Sequence, residues 1–105
     1  MESTTIIPRG CTCRNSFDFP NSQEEVATLF ITYQQNKLTK FEKDLSECTF
    51  SDGKVRVNLS QEQTLSLEEG IPIMIQIRAK LRDGTAIKSD IQEAYTDKVL
   101  KEGVI

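Results

Sequence analysis

Isoleucine stands at every second position from Ile71 to Ile77, and the alternation runs on through Ala79 and Leu81 with Met74, Gln76, Arg78, Lys80 and Arg82 between. A period of two sends alternate side chains to opposite faces, so this segment is predicted to be a β-strand with one face buried. Shorter segments carry the same signal. Cys13, Phe17 and Phe19 alternate with polar residues until Pro20-Asn21-Ser22 interrupts them. Residues 26–34 are rich in β-branched and aromatic side chains, with Ala27, Leu29, Ile31 and Tyr33 on one face and Val26 and Phe30 among threonines on the other. Both faces read as at least partly buried, and Phe30 and Tyr33 read as core.

Turn chemistry divides these strands into hairpins. Gln35-Asn36-Lys37 is a short turn, after which 38–44 runs back with Phe41 inward and Lys40, Glu42 and Lys43 in water. Asp52-Gly53 supplies the positive φ angles of a tight primed turn between 48–50 and 55–59, and Asp83-Gly84 is read as a second such turn, leading into a strand over 86–95 with Ile87, Ile91 and Tyr95 as its apolar positions. Ser60 followed three residues on by Gln63 has capping-box spacing and predicts one or two helical turns through Leu65, ended by Gly70 and Pro72.

About seven short strands joined mostly by tight turns predict an all-β chain, an immunoglobulin-like antiparallel β-sandwich with one short helical turn. Its 105 residues suit a single core. Residues 1–12 read as an extended arm, 13–97 as the sandwich domain and 98–105 as a tail.

Charge and composition narrow the chemistry. Thirteen basic against sixteen acidic side chains give a net charge of −3, which disfavours nucleic acid and anionic lipid as partners. No apolar run is long enough for a membrane span, and the first residues lack the basic and apolar regions of a signal peptide, so the product is expected to stay in the cytoplasm where it is made. The chain has no histidine, which removes the commonest general base and the histidine-dependent nucleophile arrangements. Cys11, Cys13 and Cys48 fall short of a four-ligand zinc set and read as free thiols. The five glycines are scattered through turns and build no phosphate loop. No catalytic residue, metal or cofactor is expected.

What remains are contact surfaces. Arg78, Lys80 and Arg82, with Lys88 across the hairpin, form a basic ladder on an acidic chain, suited either to keeping a sheet soluble or to docking an acidic neighbour. Ile6 and Ile7 in the arm, and Val104 and Ile105 in the tail, are apolar groups that a partner's sheet edge can take up.

Residues 26–105 resemble small proteins of phages and prophages of gut Firmicutes. The likeness rests on Ile31-Thr32-Tyr33, the run from Val57 to Leu65, Ile75-Gln76-Ile77-Arg78, Asp83-Gly84-Thr85-Ala86 and the segment from Val99 to Ile105. The layout also resembles the amino-terminal β-sandwich of phage upper-baseplate proteins. The resemblance implies a non-enzymatic structural protein of the virion, a tail or baseplate adaptor or a decoration subunit, whose partners are other virion proteins and copies of itself in a homo-oligomer, ring or lattice. The chain stops where such proteins continue into a receptor-binding region, which argues against direct host recognition. A stand-alone binding module for a glycan or an acidic protein is the alternative.

Overall fold

The computed structural model describes residues 5–105. Its strands are β1 (Thr5–Ile7), β2 (Cys13–Asp18), β3 (Val26–Gln35), β4 (Leu38–Asp44), β5 (Cys48–Ser51), β6 (Lys54–Leu59), β7 (Ile73–Leu81), β8 (Ala86–Lys88) and β9 (Gln92–Thr96), with one short helix, α1 (Gln61–Leu65). They form two sheets: a large one in the order β1-β9-β7-β3-β4, with β8 also paired to β7, and a small one in the order β2-β6-β5. The chain changes sheets between β1 and β2, β2 and β3, β4 and β5, and β6 and β7, with β6 between β2 and β5 in the small sheet and β7 between β3 and β9 in the large one. This is the strand plan of an immunoglobulin-like sandwich.

Alternation explains the core. Phe17, Val55, Val57 and Leu59 project from the small sheet and Leu29, Ile31, Tyr33, Ile73, Ile75 and Ile77 from the large one, all buried. Each such side chain contributes roughly 1.5–3 kcal/mol by leaving water. Tyr33 stacks on Phe41 with ring centroids 4.5 Å apart, and its hydroxyl donates to Asn15 Oδ1 at 2.6 Å, tying the two layers by a polar bond inside the apolar one. Burial drives the Tyr33 phenol well above its ordinary pKa.

The hairpin turns follow from backbone sign. Asn36 and Lys37 both have positive φ, as do Asp52 and Gly53, so both loops are two-residue primed turns. The expected primed turn at Asp83-Gly84 is instead a three-residue loop. Gly84 N–H donates to Leu81 O at 2.9 Å, closing an ordinary turn, and Gly84 alone takes positive φ before Leu81 N–H meets Thr85 O at 2.8 Å. At the helix both halves of the expected capping box form: Gln63 N–H donates to Ser60 Oγ at 3.1 Å and Ser60 N–H to Gln63 Oε1 at 3.0 Å.

Four other expectations are corrected. The arm is built into the sheet from Thr5 onward: β1 pairs in parallel with β9, and Thr96 Oγ1 donates to Ile7 O at 2.7 Å. The single strand expected over 86–95 is two. Arg78 pairs with Lys88 but Ile75 with Gln92, so Gln76 and Ile77 face Ser89, Asp90 and Ile91, a one-residue bulge. The extra residue turns Ile91 out to 61% exposure and puts Ala94 and Thr96 inside. A register shift between Val26 and Thr28 likewise buries Val26 and exposes Ala27. Lys43, expected in water, points inward beside Ile31 at 6% exposure, with Nζ 3.2 Å from Glu47 Oε2. An inward charge on an edge strand discourages further strand pairing.

The α1 end of the sandwich is closed by polar side chains. Gln35, fully buried, donates through Nε2 to Glu68 O and Ile71 O, each at 2.9 Å, and accepts from Glu68 N–H at 2.8 Å. Arg9 donates to Leu67 O, Leu65 O and Glu102 Oε2, so one guanidinium joins the first strand's exit, α1 and the tail. Gly10 sits there at φ 83°, where a Cβ would come within 3.4 Å of Val99.

Candidate functional site

Strand register defines the two outer faces. On the small sheet the outward rows are Arg14 with Asn58, Ser16 with Arg56 and Thr49, and Asp18 with Lys54 and Ser51. Every cation there is engaged within the chain: Arg14 Nε donates to Asn58 Oδ1 at 3.2 Å, Arg56 to Ser51 O at 3.2 Å, and Lys54 lies 2.6 Å from Asp18 Oδ1. The hydrogen bond from Lys54, and then its charge, hold the Asp18 carboxyl below the usual carboxylate range.

The large sheet presents a different face. One row runs Asp44, Phe30, Arg78, Lys88 across β4, β3, β7 and β8, flanked by Thr28 with Lys80 on one side and Glu42, Thr32 and Gln76 on the other. Further along lie Met74 beside Glu93, and Tyr95 beside Ile6. Phe30 is 42% exposed, Met74 38% and Ile6 49%. Thr28, Phe30, Thr32, Glu42, Arg78 and Lys80 border a shallow hollow of about 350 Å³. Glu42 Oε2 accepts from Thr32 Oγ1 at 2.8 Å, while Arg78, Lys80 and Lys88 have no hydrogen-bond or ion-pair partner among the described residues. The Tyr95 hydroxyl donates to Glu93 Oε1 at 2.6 Å, which raises the phenol's pKa.

The structure therefore brings Arg78, Lys80 and Lys88 together on one surface and leaves other expected residues apart from it. Arg82 lies past the end of β7, where Nε donates to Glu24 O at 2.7 Å and its backbone N–H to Glu25 O at 2.9 Å, pinning the β7–β8 turn to the 3-10 turn Gln23–Glu25. It also borders a hollow of about 660 Å³ between that turn and the β5–β6 hairpin at Asp52-Gly53. Ile6 shares the large outer face, but Ile7, its neighbour in a strand, points the other way and is wholly buried, so it packs this chain's own core and not a partner. Val104 and Ile105 are exposed in the tail, where Ile105 N–H donates to Gln61 Oε1 of α1 at 2.8 Å. Phe30, expected in the core, is the surface's central apolar group. Its signal was the company it keeps: Thr28 and Thr32 share its parity, whereas Leu29, Ile31 and Tyr33 share the other.

The thiols are chemically quiet where they are buried. Burial, aided by Glu47 and Asp44, pushes Cys48 up to about 11, and burial together with Cys11 raises Cys13, so both are protonated near neutrality. Among the described residues no three His, Cys, Asp or Glu side chains converge to hold a metal ion, and no helix is long and apolar enough to cross a membrane. No family model, curated protein or solved structure matches the chain.

Proposed function

We propose that this protein is a non-enzymatic structural subunit that works by contact, its rigid sandwich offering the outer face of the large sheet to neighbours in an assembly. The observation that supports this reading is that face itself. Phe30 is left in water beside cations without intrachain partners, with Met74 and Ile6 also exposed further along the same face, whereas the small sheet's outer face engages its own cations. Exposed apolar groups rimmed by charge are the usual make-up of an interaction surface. The resemblance of residues 26–105 to small phage proteins supports a virion as the assembly, with a tail or baseplate adaptor or a decoration subunit as the role.

The test is particle incorporation. Expressed from its own gene in its host, the chain is expected to co-sediment with assembled particles, and Phe30→Glu with Ile6→Glu to release it while Ser16→Glu with Thr49→Glu does not. A chain found only in the unassembled fraction overturns the reading. The partnerless cations also favour a second reading, a stand-alone module for an acidic protein or glycan. That reading predicts a ligand lost on Arg78→Glu and no particle association at all.

A further inference from the structure

The large outer face is polar in a directional sense. Around Phe30 the carboxylates Glu42 and Asp44 lie on β4, one strand to one side, and the free cations Arg78, Lys80 and Lys88 lie one and two strands to the other; Glu93, further along the face on β9, accepts from the Tyr95 hydroxyl. A surface with acid on one flank, base on the opposite flank and an aromatic group on the midline is complementary to itself under one operation. A twofold axis lying in the interface and running along β3 reverses left and right. It sets β4 of each copy over β7 of the other, so that Asp44 faces Arg78 twice and Phe30 meets its own counterpart.

From this geometry we infer that the partner seated on this face is a second copy of this chain, forming a face-to-face homodimer centred on Phe30. The inference rests on the assembly reading and identifies one of its contacts. Ten residues of β3 span roughly 33 Å, and the three strands that overlap about this axis, β4, β3 and β7, are two spacings or roughly 10 Å across, a planar area of roughly 300 Å² per copy. Two such faces bury roughly 600 Å², below the size of a stable specific interface, so the dimer is a weak, transient one whose affinity depends on charge pairing. It therefore weakens as salt is raised.

Sedimentation velocity of the whole chain over a concentration series, at low and high salt, tests this with two variants. The first, Arg78→Glu/Lys80→Glu/Lys88→Glu, makes the whole face acidic. The second, Glu42→Lys/Asp44→Asn, makes it basic while keeping a competent side chain at position 44, where Asp44 caps the 3-10 turn Leu45–Glu47. All five positions are exposed, and thermal melts verify that both variants fold. The wild type is expected to dimerise, each variant to self-associate at least about tenfold more weakly, and their equimolar mixture to recover dimer, because acid then faces base on both flanks. A wild type that stays monomeric through millimolar concentration overturns the dimer. So does an acidic-face variant that associates as well as wild type, or a mixture that gains nothing. If the chain still enters particles while monomeric in solution, the assembly reading stands and a different protein occupies this face.

Discussion

The two outer faces of this sandwich are built from the same period-two strands yet dispose of charge in opposite ways. The small sheet pairs each cation with a neighbour one strand away, Lys54 with Asp18, Arg14 with Asn58 and Arg56 with Ser51, leaving nothing in want of a partner. In the rows around Phe30 the large sheet sets carboxylates on one side and cations on the other and leaves those cations unmatched within the chain. A surface that only had to stay soluble would be served by the first arrangement. The second concentrates exposed apolar area and unneutralised charge in one place, and it teaches that the sheet's two sides are under different demands.

Stability measurements can sharpen or break that contrast. The largest difference is expected between neighbours on β3. Ile31→Ala, which opens a cavity at a fully buried site, should cost about 2–5 kcal/mol in chemical denaturation. Phe30→Ala, on the outer side of the same strand, should cost under about 1 kcal/mol. A comparable loss at both would mean that Phe30 holds the fold together and is not kept for contact.

Next comes the bulge that sets which face Ile91 joins. Ser89 Oγ accepts from Ile77 N–H at 3.0 Å, so Ser89→Ala should cost about 1 kcal/mol and speed hydrogen exchange at the Ile77 amide. Smaller still are the surface charges. Lys54→Met should lower the melting midpoint slightly at low ionic strength and not in 1 M salt, whereas Arg78→Met should leave it unchanged or raise it by relieving repulsion with Lys88.

Acid sensitivity separates the faces in the same way. Asp18, Glu25 and Glu102 are held below the usual carboxylate range by hydrogen bonds from Lys54, Ser22 and Arg9. A folded pKa below the unfolded one gives stability that is complete above roughly pH 4.5 and lost as pH falls through the folded values. Denaturation midpoints at pH 7, 5 and 3 should show that loss. Lys54→Met on the small face should diminish it and Arg78→Met on the large face should not. On the alkaline side Cys48, raised from 9.0 to about 11, has the opposite sign: its contribution is intact below pH 9.0 and lost as pH rises through about 11.

Much of this was legible in the sequence, for physical reasons that also mark the limit. The alternation from Ile73 to Leu81 is enforced by burial of one face, so β7 and the outward set of Arg78 and Lys80 could be read directly. The Asp52-Gly53 hairpin and the Ser60 cap were equally local. What escaped were features fixed by distant partners. The bulge at 89–91 has no signature of its own, because its cause is the register of β9 on β7, and one inserted residue reverses every side chain after it. β1 looked like a loose arm because three residues carry almost no periodic signal until β9 is beside them. Gln35 read as a turn residue and Lys43 as wet, since nothing in a single strand announces that backbone carbonyls 33 and 36 residues away, or a neighbouring carboxylate, will satisfy them inside. For the candidate site, the cations were found from parity, but Phe30 was claimed for the core because its hydrophobicity outweighed its polar company.

The parallel seam between β1 and β9 has a temporal meaning. Ile7 and Thr96 are joined across 89 positions, so a ribosome must release the chain as far as Thr96 before β1 can find its seat. Until then the groove that accepts Ile7 stands open to any equivalent strand, including one lent by a sister molecule during crowded synthesis.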